Sequence, residues 1–295
     1  MGKKRWVFFK LLADAARLFV KNDPLRMAGA TSFFTMFALP PILIILVQVF
    51  SLFINPNTVK VELFASLTDT FGKESLRQIS SVIAALQKIS YNWFVTIFGF
   101  IFLTFVATTL FKVIKNSINQ LWDIPPAKEV RVMATIKSRA QSLVLILTSG
   151  LLFTMAVFIE MLQVFIGHYF FKVLPVMSPF FNQLQGFVIS TLIMAIWFLM
   201  IFRYLSHGRP LWRIAWTGAL FTSVLFSFGK IILHILLSYN QINSIYGASA
   251  SLVLLLLFLF YTSMILYYGA SFTKVWADYK GYKMVHRQLA KDKQG

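Results

Sequence analysis

The chain contains no cysteine, and only 10 of its 295 residues are aspartate or glutamate. The absence of cysteine excludes disulfides, thiolate catalysis and iron–sulfur or cysteine-based zinc sites. The few carboxylates lie mostly on different predicted loops, and no pair is spaced for general acid–base catalysis. The four histidines share no metal-ligand spacing, and no G-x-x-x-x-G-K-[ST] segment is present. We therefore predict no catalytic residue, no metal site, no bound cofactor and no built-in ATP site.

Charge of either sign is scarce, whereas apolar residues are abundant. Charged residues make up 13% of the chain and hydrophobic residues 58%, with 32 phenylalanines. A soluble domain carries roughly 25% charged residues. Six apolar stretches are each near or above the ~20 residues that cross ~30 Å of hydrocarbon as a helix. We predict an all-α membrane protein whose six transmembrane helices lie at 28–54, 93–111, 142–171, 186–205, 213–238 and 247–273.

Positive charge is distributed unequally between the two sides of these spans. Of the 28 lysines and arginines, 22 lie on one side, namely in 1–26, 112–141, 203–213 and the tail from 274. Because lysine and arginine are retained in the cytoplasm during insertion, we predict that both termini are cytoplasmic. The same asymmetry accounts for the net charge of +18 as topology and attraction to anionic lipid, without a nucleic-acid partner.

The segments outside the spans also show a pattern. In residues 1–25, Trp6 and Phe9 share one helical face, while Lys10 and Arg17 lie elsewhere. This pattern predicts an amphipathic helix on the cytoplasmic surface of the membrane. The three- and four-residue spacing of apolar residues in 55–92 predicts one or two amphipathic helices in the first external loop.

The predicted organisation is a cytoplasmic helix, a membrane domain and a basic tail, with boundaries at 1–25, 26–277 and 278–295. Asp23–Pro24 is a start signal for the first span, since an acidic cap followed by proline is favoured where a helix begins. Ser178–Pro179 is a similar signal. Pro40 lies within the first span, where proline is expected to kink the helix.

Polar residues inside two predicted spans form the candidate site. The third span contains Glu160 and Gln163 on one face, and the fifth contains Ser227, Lys230 and His234. Glu160 and Lys230 each lie about 26 Å along a helix that leaves the cytoplasm, so they reach nearly the same depth. A lone charge there costs several kcal/mol, whereas opposite charges at equal depth can pair. We predict that Glu160 and Lys230 face each other, with His234 one turn further out.

Two interpretations of this polar group stay open. It is either a polar path, a lipid-headgroup site or a proton-linked switch, or a structural ion pair whose side chains extend towards an outer vestibule. A single pair does not make a relay, and the sequence does not decide between the two.

Several segments, in order along the chain, resemble the YihY/virulence factor BrkB family of bacterial inner-membrane proteins. The sequence departs from the family pattern at Ala38, where serine is common, and at Ser271, where glutamate is common. The second departure removes a charge near the inner end of the sixth span. The first family-like segment is Ala28-Gly29-Ala30-Thr31-Ser32-Phe33-Phe34-Thr35, which Asp23 precedes and Pro40 follows. The second is Ile118–Trp122, which contains Asn119 and Trp122. The later ones are Arg203-Tyr204 with Arg209-Pro210, Trp216–Ala219, Tyr246-Gly247-Ala248 and Gly269-Ala270-Ser271-Phe272.

The resemblance implies six spans with cytoplasmic ends in the bacterial inner membrane and a role in the cell envelope. It also implies membrane lipids as partners, either a lipopolysaccharide precursor or an anionic phospholipid. Our leading hypothesis is a non-enzymatic protein that moves, or helps move, such a lipid without its own ATPase. The alternative is a structural or partner-binding membrane protein. A ribonuclease, a label that some relatives carry, is disfavoured because the chain lacks the His/Asp metal cluster that RNA hydrolysis usually uses.

Overall fold

The computed structural model of the protein describes residues 2–50, 93–125, 178–238, 250–282 and 284, and no strand occurs among them. Within these described ranges, three segments are long and apolar enough to cross a membrane, at 186–205, 212–231 and 252–279. The described chain is therefore that of an all-α membrane protein. Its helices are α1 (Gly2–Lys21), α2 (Pro24–Phe50), α3 (Trp93–Leu121), α4 (Ser178–Met200, continued by a π-helical turn at Ile201–Leu205), α5 (Trp212–Ser238) and α6 (Ala250–Tyr279).

The helices extend past several of the predicted span boundaries. α5 differs from the predicted 213–238 by one residue, but α3 continues ten residues past 111 and α6 six residues past 273. α4 begins at Ser178, eight residues before the predicted 186, at the Ser–Pro start signal. In α3 and α6 the apolar run stops at the first lysine, and the predicted span was ended there. The helix itself continues because lysine is a good helix former. The predictions for 142–171 and 55–92 lie outside the described residues.

α3 and α6 end in the same hydrogen-bonded motif. At the end of α3, Asp123 N–H donates to the Gln120 carbonyl (3.1 Å) and Ile124 N–H donates to the Asn119 carbonyl (2.9 Å). Asp123 has a left-handed backbone, with φ of 53°. At the end of α6, Gly281 has φ of 74°, and the N–H groups of residues 281 and 282 donate to carbonyls three and five residues earlier. These are Schellman motifs, in which a left-handed residue lets the last carbonyls of the helix find donors.

The predicted helix start at Asp23–Pro24 is confirmed, although the cap differs from the usual geometry. α2 begins at Pro24, and the Asp23 carbonyl accepts the first helical hydrogen bond from Met27 N–H (3.2 Å). Asp23 has φ of 52°, not the extended backbone typical of a capping residue. The turn is instead held by Asn22, whose side-chain amide donates to the Leu18 carbonyl at the end of α1 (2.9 Å).

α6 lies at the centre of the described helices and packs against α1, α2 and α5; α2 also packs against α3, and α4 against α5. The predicted N-terminal helix is present as α1, and Leu11 and Ala15 form its buried stripe. Tyr268 of α6 donates its hydroxyl proton to the Leu12 carbonyl (3.2 Å). Trp6 is 70% exposed and Phe9 64% exposed. The position of α1 on the membrane surface stays a prediction.

The contact between α5 and α6 is built from a short sequence that occurs twice. Gly218–Thr222 reads G-A-L-F-T and Gly269–Thr273 reads G-A-S-F-T. A Cβ at Gly218 would lie 2.0 Å from Oγ1 of Thr273, and a Cβ at Gly269 would lie 1.9 Å from Oγ1 of Thr222. Each threonine donates its hydroxyl proton to the glycine carbonyl of its own helix at 2.7 Å. The two helices therefore cross antiparallel with their backbones in close approach, as small residues permit.

Candidate functional site

Lys230 lies at the boundary between the packed and the exposed faces of α5. Its side chain is half-buried, and Nζ is 5.8 Å from the ring centroid of Phe226. The neighbouring Phe228 and Ile231 are 55% and 48% exposed, whereas Ser227 is buried. Lys230 therefore lies between the buried residues Phe226 and Ser227 and the exposed residues Phe228 and Ile231 of α5.

The predicted site residue Ser227 connects α5 to α4. Its hydroxyl shares a hydrogen bond with the hydroxyl of Thr191 (2.9 Å), and both residues are buried. Thr191 was not identified from the sequence, because a single threonine in an apolar helix is usually bonded to its own backbone. The hydrogen bond between the two helices places a pair of hydroxyls one helical turn from Lys230.

Tyr261 of α6 is a further polar residue, in contact with Gly229 of α5, that was not identified from the sequence. A Cβ at Gly229 would lie 1.7 Å from the Tyr261 hydroxyl oxygen. The absence of a side chain at Gly229 therefore allows the hydroxyl to reach the backbone of α5 next to Lys230. We refer to Thr191, Ser227, Lys230 and Tyr261 together as the lysine cluster. Tyrosine opposite glycine on a neighbouring helix is a pattern that could have been noticed only if the pairing of α5 with α6 were known.

The other residues of the predicted site fall outside what the structure describes. Glu160 and Gln163 belong to the segment 126–177, and the side chain of His234 is likewise outside the description, although its backbone continues α5. The pairing of Glu160 with Lys230 therefore stays a prediction. Tyr246 and Gly247 also lie outside the described residues, and Pro40 is described only as part of the α2 backbone.

A second buried polar group joins α2, α3 and α6. The hydroxyls of Thr31 and Tyr267 share a hydrogen bond, and Ser117 also bonds to Tyr267. All three residues are buried, and Tyr267 is fully enclosed. The group satisfies its own donors and acceptors, so it serves to align three helices.

Lys115 is a buried cation in the same part of α3, beyond the predicted end of the second span. Burial lowers the pKa of Lys115 from its ordinary value of 10.5, and the nearby positive charge of Lys112 lowers this pKa further. Both effects disfavour the charged ammonium group. No group of three or more His, Asp or Glu side chains placed to hold a metal ion occurs in the described part of the chain.

The family-like residues Asn119, Trp122 and Gly269 meet at one end of the bundle. The Asn119 side-chain oxygen accepts a hydrogen bond from His207 N–H (3.0 Å) in the turn between α4 and α5. The buried Trp122 indole N–H donates to the Ala270 carbonyl of α6, next to Gly269 (2.9 Å). Three segments that are far apart in sequence are thus tied together by the end of α3, which indicates a structural role for these residues.

Comparisons with known proteins agree with this architecture. A sequence model of the family described as "Virulence factor BrkB" matches residues 15–294. A UPF0761 membrane protein of Mannheimia succiniciproducens is 26% identical over 261 residues, which cover 88% of this chain and 87% of that protein. A UPF0761 membrane protein of Saccharophagus degradans is 23% identical over 265 residues, or 90% of this chain and 58% of that protein.

A UPF0761 membrane protein of Pseudoalteromonas translucida is 22% identical over 247 residues, covering 83% of this chain and 79% of that protein. No solved structure matches the chain. The resemblance drawn from the sequence motifs is confirmed, because the family match extends over nearly the whole chain. The chain is a membrane protein that belongs to the virulence factor BrkB family.

Proposed function

We propose that this protein moves, or helps move, an anionic amphipathic lipid of the cell envelope across the bacterial inner membrane, without enzymatic activity and without an ATPase of its own. The observation that supports the proposal is the position of Lys230. Lys230 lies 18 residues after the start of α5 at Trp212, which corresponds to about 27 Å along the helix. A charged side chain within an apolar membrane helix is costly in lipid and is by default a candidate for a pathway or a binding site.

The surroundings of Lys230 fit an anionic headgroup. The exposed Phe228 and Ile231, which flank Lys230 along the helix, would lie against acyl chains, while the ammonium group lies 5.8 Å from the ring centroid of the buried Phe226. A phosphate group would accept charge-assisted hydrogen bonds from the ammonium group. In this proposal Glu160 pairs with Lys230 in the absence of lipid and is displaced when a headgroup competes for the cation.

A reconstituted flip assay tests the proposal. The full chain is placed in vesicles that contain fluorescent phosphatidylglycerol, and dithionite reports how fast lipid leaves the inner leaflet. We expect the wild type to exceed protein-free vesicles, Lys230→Gln to fall to background and Lys230→Arg to retain activity. Arg17→Gln is the matched control, since Arg17 is an exposed cation on α1 whose charge partner is Asp14. Background rates for the wild type would contradict lipid movement, and equal rates for wild type and Lys230→Gln would contradict the role of Lys230.

A structural or partner-binding role is the second candidate, and the exposed end of α1 favours it. Trp6 and Phe9 are large apolar side chains that are more than half exposed in the described structure. A single stoichiometric partner crosslinked at these positions, combined with no lipid transfer, would support this role over transport. The ribonuclease alternative would require purified protein to degrade RNA in a metal-dependent manner.

A further inference from the structure

The turn between α4 and α5 is strongly and uniformly positive. Arg203 precedes the turn, Arg209 lies within it, and Arg213 follows in the first turn of α5. The sequence contains no aspartate or glutamate from residue 178 to residue 238. None of the three arginines forms an ion pair with any described residue. Three positive charges therefore lie close together along a stretch of chain that contains no carboxylate.

The guanidinium group of Arg203 is held in place by the turn. Its Nη1 donates to the backbone carbonyls of Arg209 (3.0 Å) and Pro210, and its carbon lies 5.2 Å from the ring centroid of Trp212. Because both hydrogen bonds come from Nη1, the Nε and Nη2 edge stays available to donate. This edge is one of the two with which arginine can bind phosphate through two parallel hydrogen bonds.

The turn itself is fastened to the end of α3, so its arginines have a fixed backbone. His207 N–H donates to the Asn119 side chain, and a Cβ at Gly208 would lie 2.5 Å from Cδ1 of Ile124. Arg209 adopts φ of 33°, a conformation that non-glycine residues rarely take and that the surrounding contacts must enforce. A preorganised cation requires less ordering on binding than a flexible one.

An exposed apolar surface begins at the same place and continues along α5. Tyr204 and Trp212 are 46% and 48% exposed, and their rings contact each other edge to face at 6.3 Å. The exposed face then continues at four-residue intervals, so it follows the helix axis. Its further members are Trp216, Leu220, Val224 and Phe228. Aromatic residues followed by an apolar helix face are typical of the boundary between headgroups and acyl chains.

We propose that this turn binds the phosphate of an anionic phospholipid in the cytoplasmic leaflet, with the acyl chains lying along the exposed face of α5. Arg203 supplies a positioned guanidinium edge, and Arg209 and Arg213 supply positive charge around it. Basic pockets between transmembrane helices on the cytoplasmic side of a membrane bind anionic lipid headgroups, and a positioned arginine with further positive charge around it is such a pocket. The site is separate from Lys230, which lies 17 residues beyond Arg213 on α5.

Equilibrium lipid binding to the purified full chain in neutral detergent tests this proposal. Dioleoylphosphatidylglycerol and dioleoylphosphatidylcholine are titrated separately, and native mass spectrometry counts the bound lipids. We expect wild type to prefer phosphatidylglycerol and the variant R203Q/R209Q/R213Q to bind it at least about tenfold more weakly. Arg213→Gln alone should weaken binding while preserving the hydrogen bonds of the turn, and Arg17→Gln should have no effect.

Three results would overturn the proposal: equal binding of the two lipids by wild type, unchanged binding by the triple variant, or equally strong binding of soluble glycerol 3-phosphate. The last result would show that acyl chains along α5 contribute nothing. Circular dichroism melting of each variant separates lost binding from lost folding. The lipid-binding titration involves no transbilayer movement, so a negative result in it would contradict the binding site at the turn and leave the transport proposal standing. A protein that binds through these arginines but does not flip lipid fails only the transport proposal.

Discussion

Gly218 of α5 lies directly against Thr273 of α6, so close that a Cβ at Gly218 would approach Oγ1 of Thr273 to 2.0 Å. The reciprocal contact joins Gly269 to Thr222, and Phe221 stacks on Phe272 with ring centroids 4.0 Å apart. The repeated G-A-x-F-T sequence thus forms a local two-fold arrangement between antiparallel helices. This contact fixes the distance between the helix that bears Lys230 and the helix at the centre of the bundle.

We expect Gly218→Ala to destabilise the protein by about 1–3 kcal/mol, the usual cost of inserting a methyl group into a packed site. Adding Thr273→Ala should recover part of this loss because it removes the nearest atom. Gly29→Ala is the control, since apart from its chain neighbours and the backbone of its own helical turn no atom lies within 4 Å of a Cβ at Gly29. Thermal unfolding in detergent measures the effect, and equal unfolding temperatures for Gly218→Ala and Gly29→Ala would contradict the close approach.

Trp122→Phe should destabilise the protein because it removes the indole N–H that donates to the Ala270 carbonyl. The Ala270 carbonyl lies inside α6 and keeps its helical donor, so the loss of the indole hydrogen bond should cost about 0.5–1.5 kcal/mol. Trp216→Phe is the matched substitution at a residue that is 37% exposed, and it should change stability by less than about 0.5 kcal/mol. If the two variants lost equal stability, the hydrogen bond to Ala270 would not be the cause.

The hydroxyl pair Thr191 and Ser227 should show a measurable coupling. A double-mutant cycle with Thr191→Val and Ser227→Ala should give about 0.6 kcal/mol, the average for hydrogen bonds between membrane helices. Pairing Thr191→Val with Thr217→Val provides the control, because Thr217 donates to the carbonyl of Arg213 in its own helix. A coupling of zero for Thr191 and Ser227 would show that the bond contributes no stability.

Lys115 should make stability depend on alkaline pH. Because burial lowers the pKa of Lys115 in the folded protein, the unfolded chain binds more protons between that lowered value and 10.5. The free energy of unfolding therefore rises with pH across this window, as the penalty for a buried charge disappears. Lys115→Met should remove this part of the slope, whereas Lys21→Met, on an exposed residue of α1, should keep it. A wild-type slope in Lys115→Met, measured by chemical denaturation across the window, would contradict the assignment.

Some helix boundaries and site residues could be predicted from the sequence, and others could not. The helix start at Pro24 and the bounds of α5 followed from local signals, namely a proline after an acidic residue and a continuous apolar run. The end of α3 could not be predicted in this way. The change from apolar to basic residues at Lys112 marks a change in the surroundings of the helix, while the helical backbone continues to Leu121. Ser227 was identified by its spacing from Lys230, but its partner Thr191 lies on another helix and has no signal of its own.

The sequence alone determined the class of this protein, since apolar length and the distribution of lysine and arginine are properties of each segment and its nearest neighbours. The tertiary structure decided which helices touch and which polar groups meet. It placed Thr273 against Gly218, Tyr261 against Gly229 and Trp122 against Ala270. These contacts depend on how closely two backbones approach. That distance is set by side chains far apart in the chain, so no local pattern contains it.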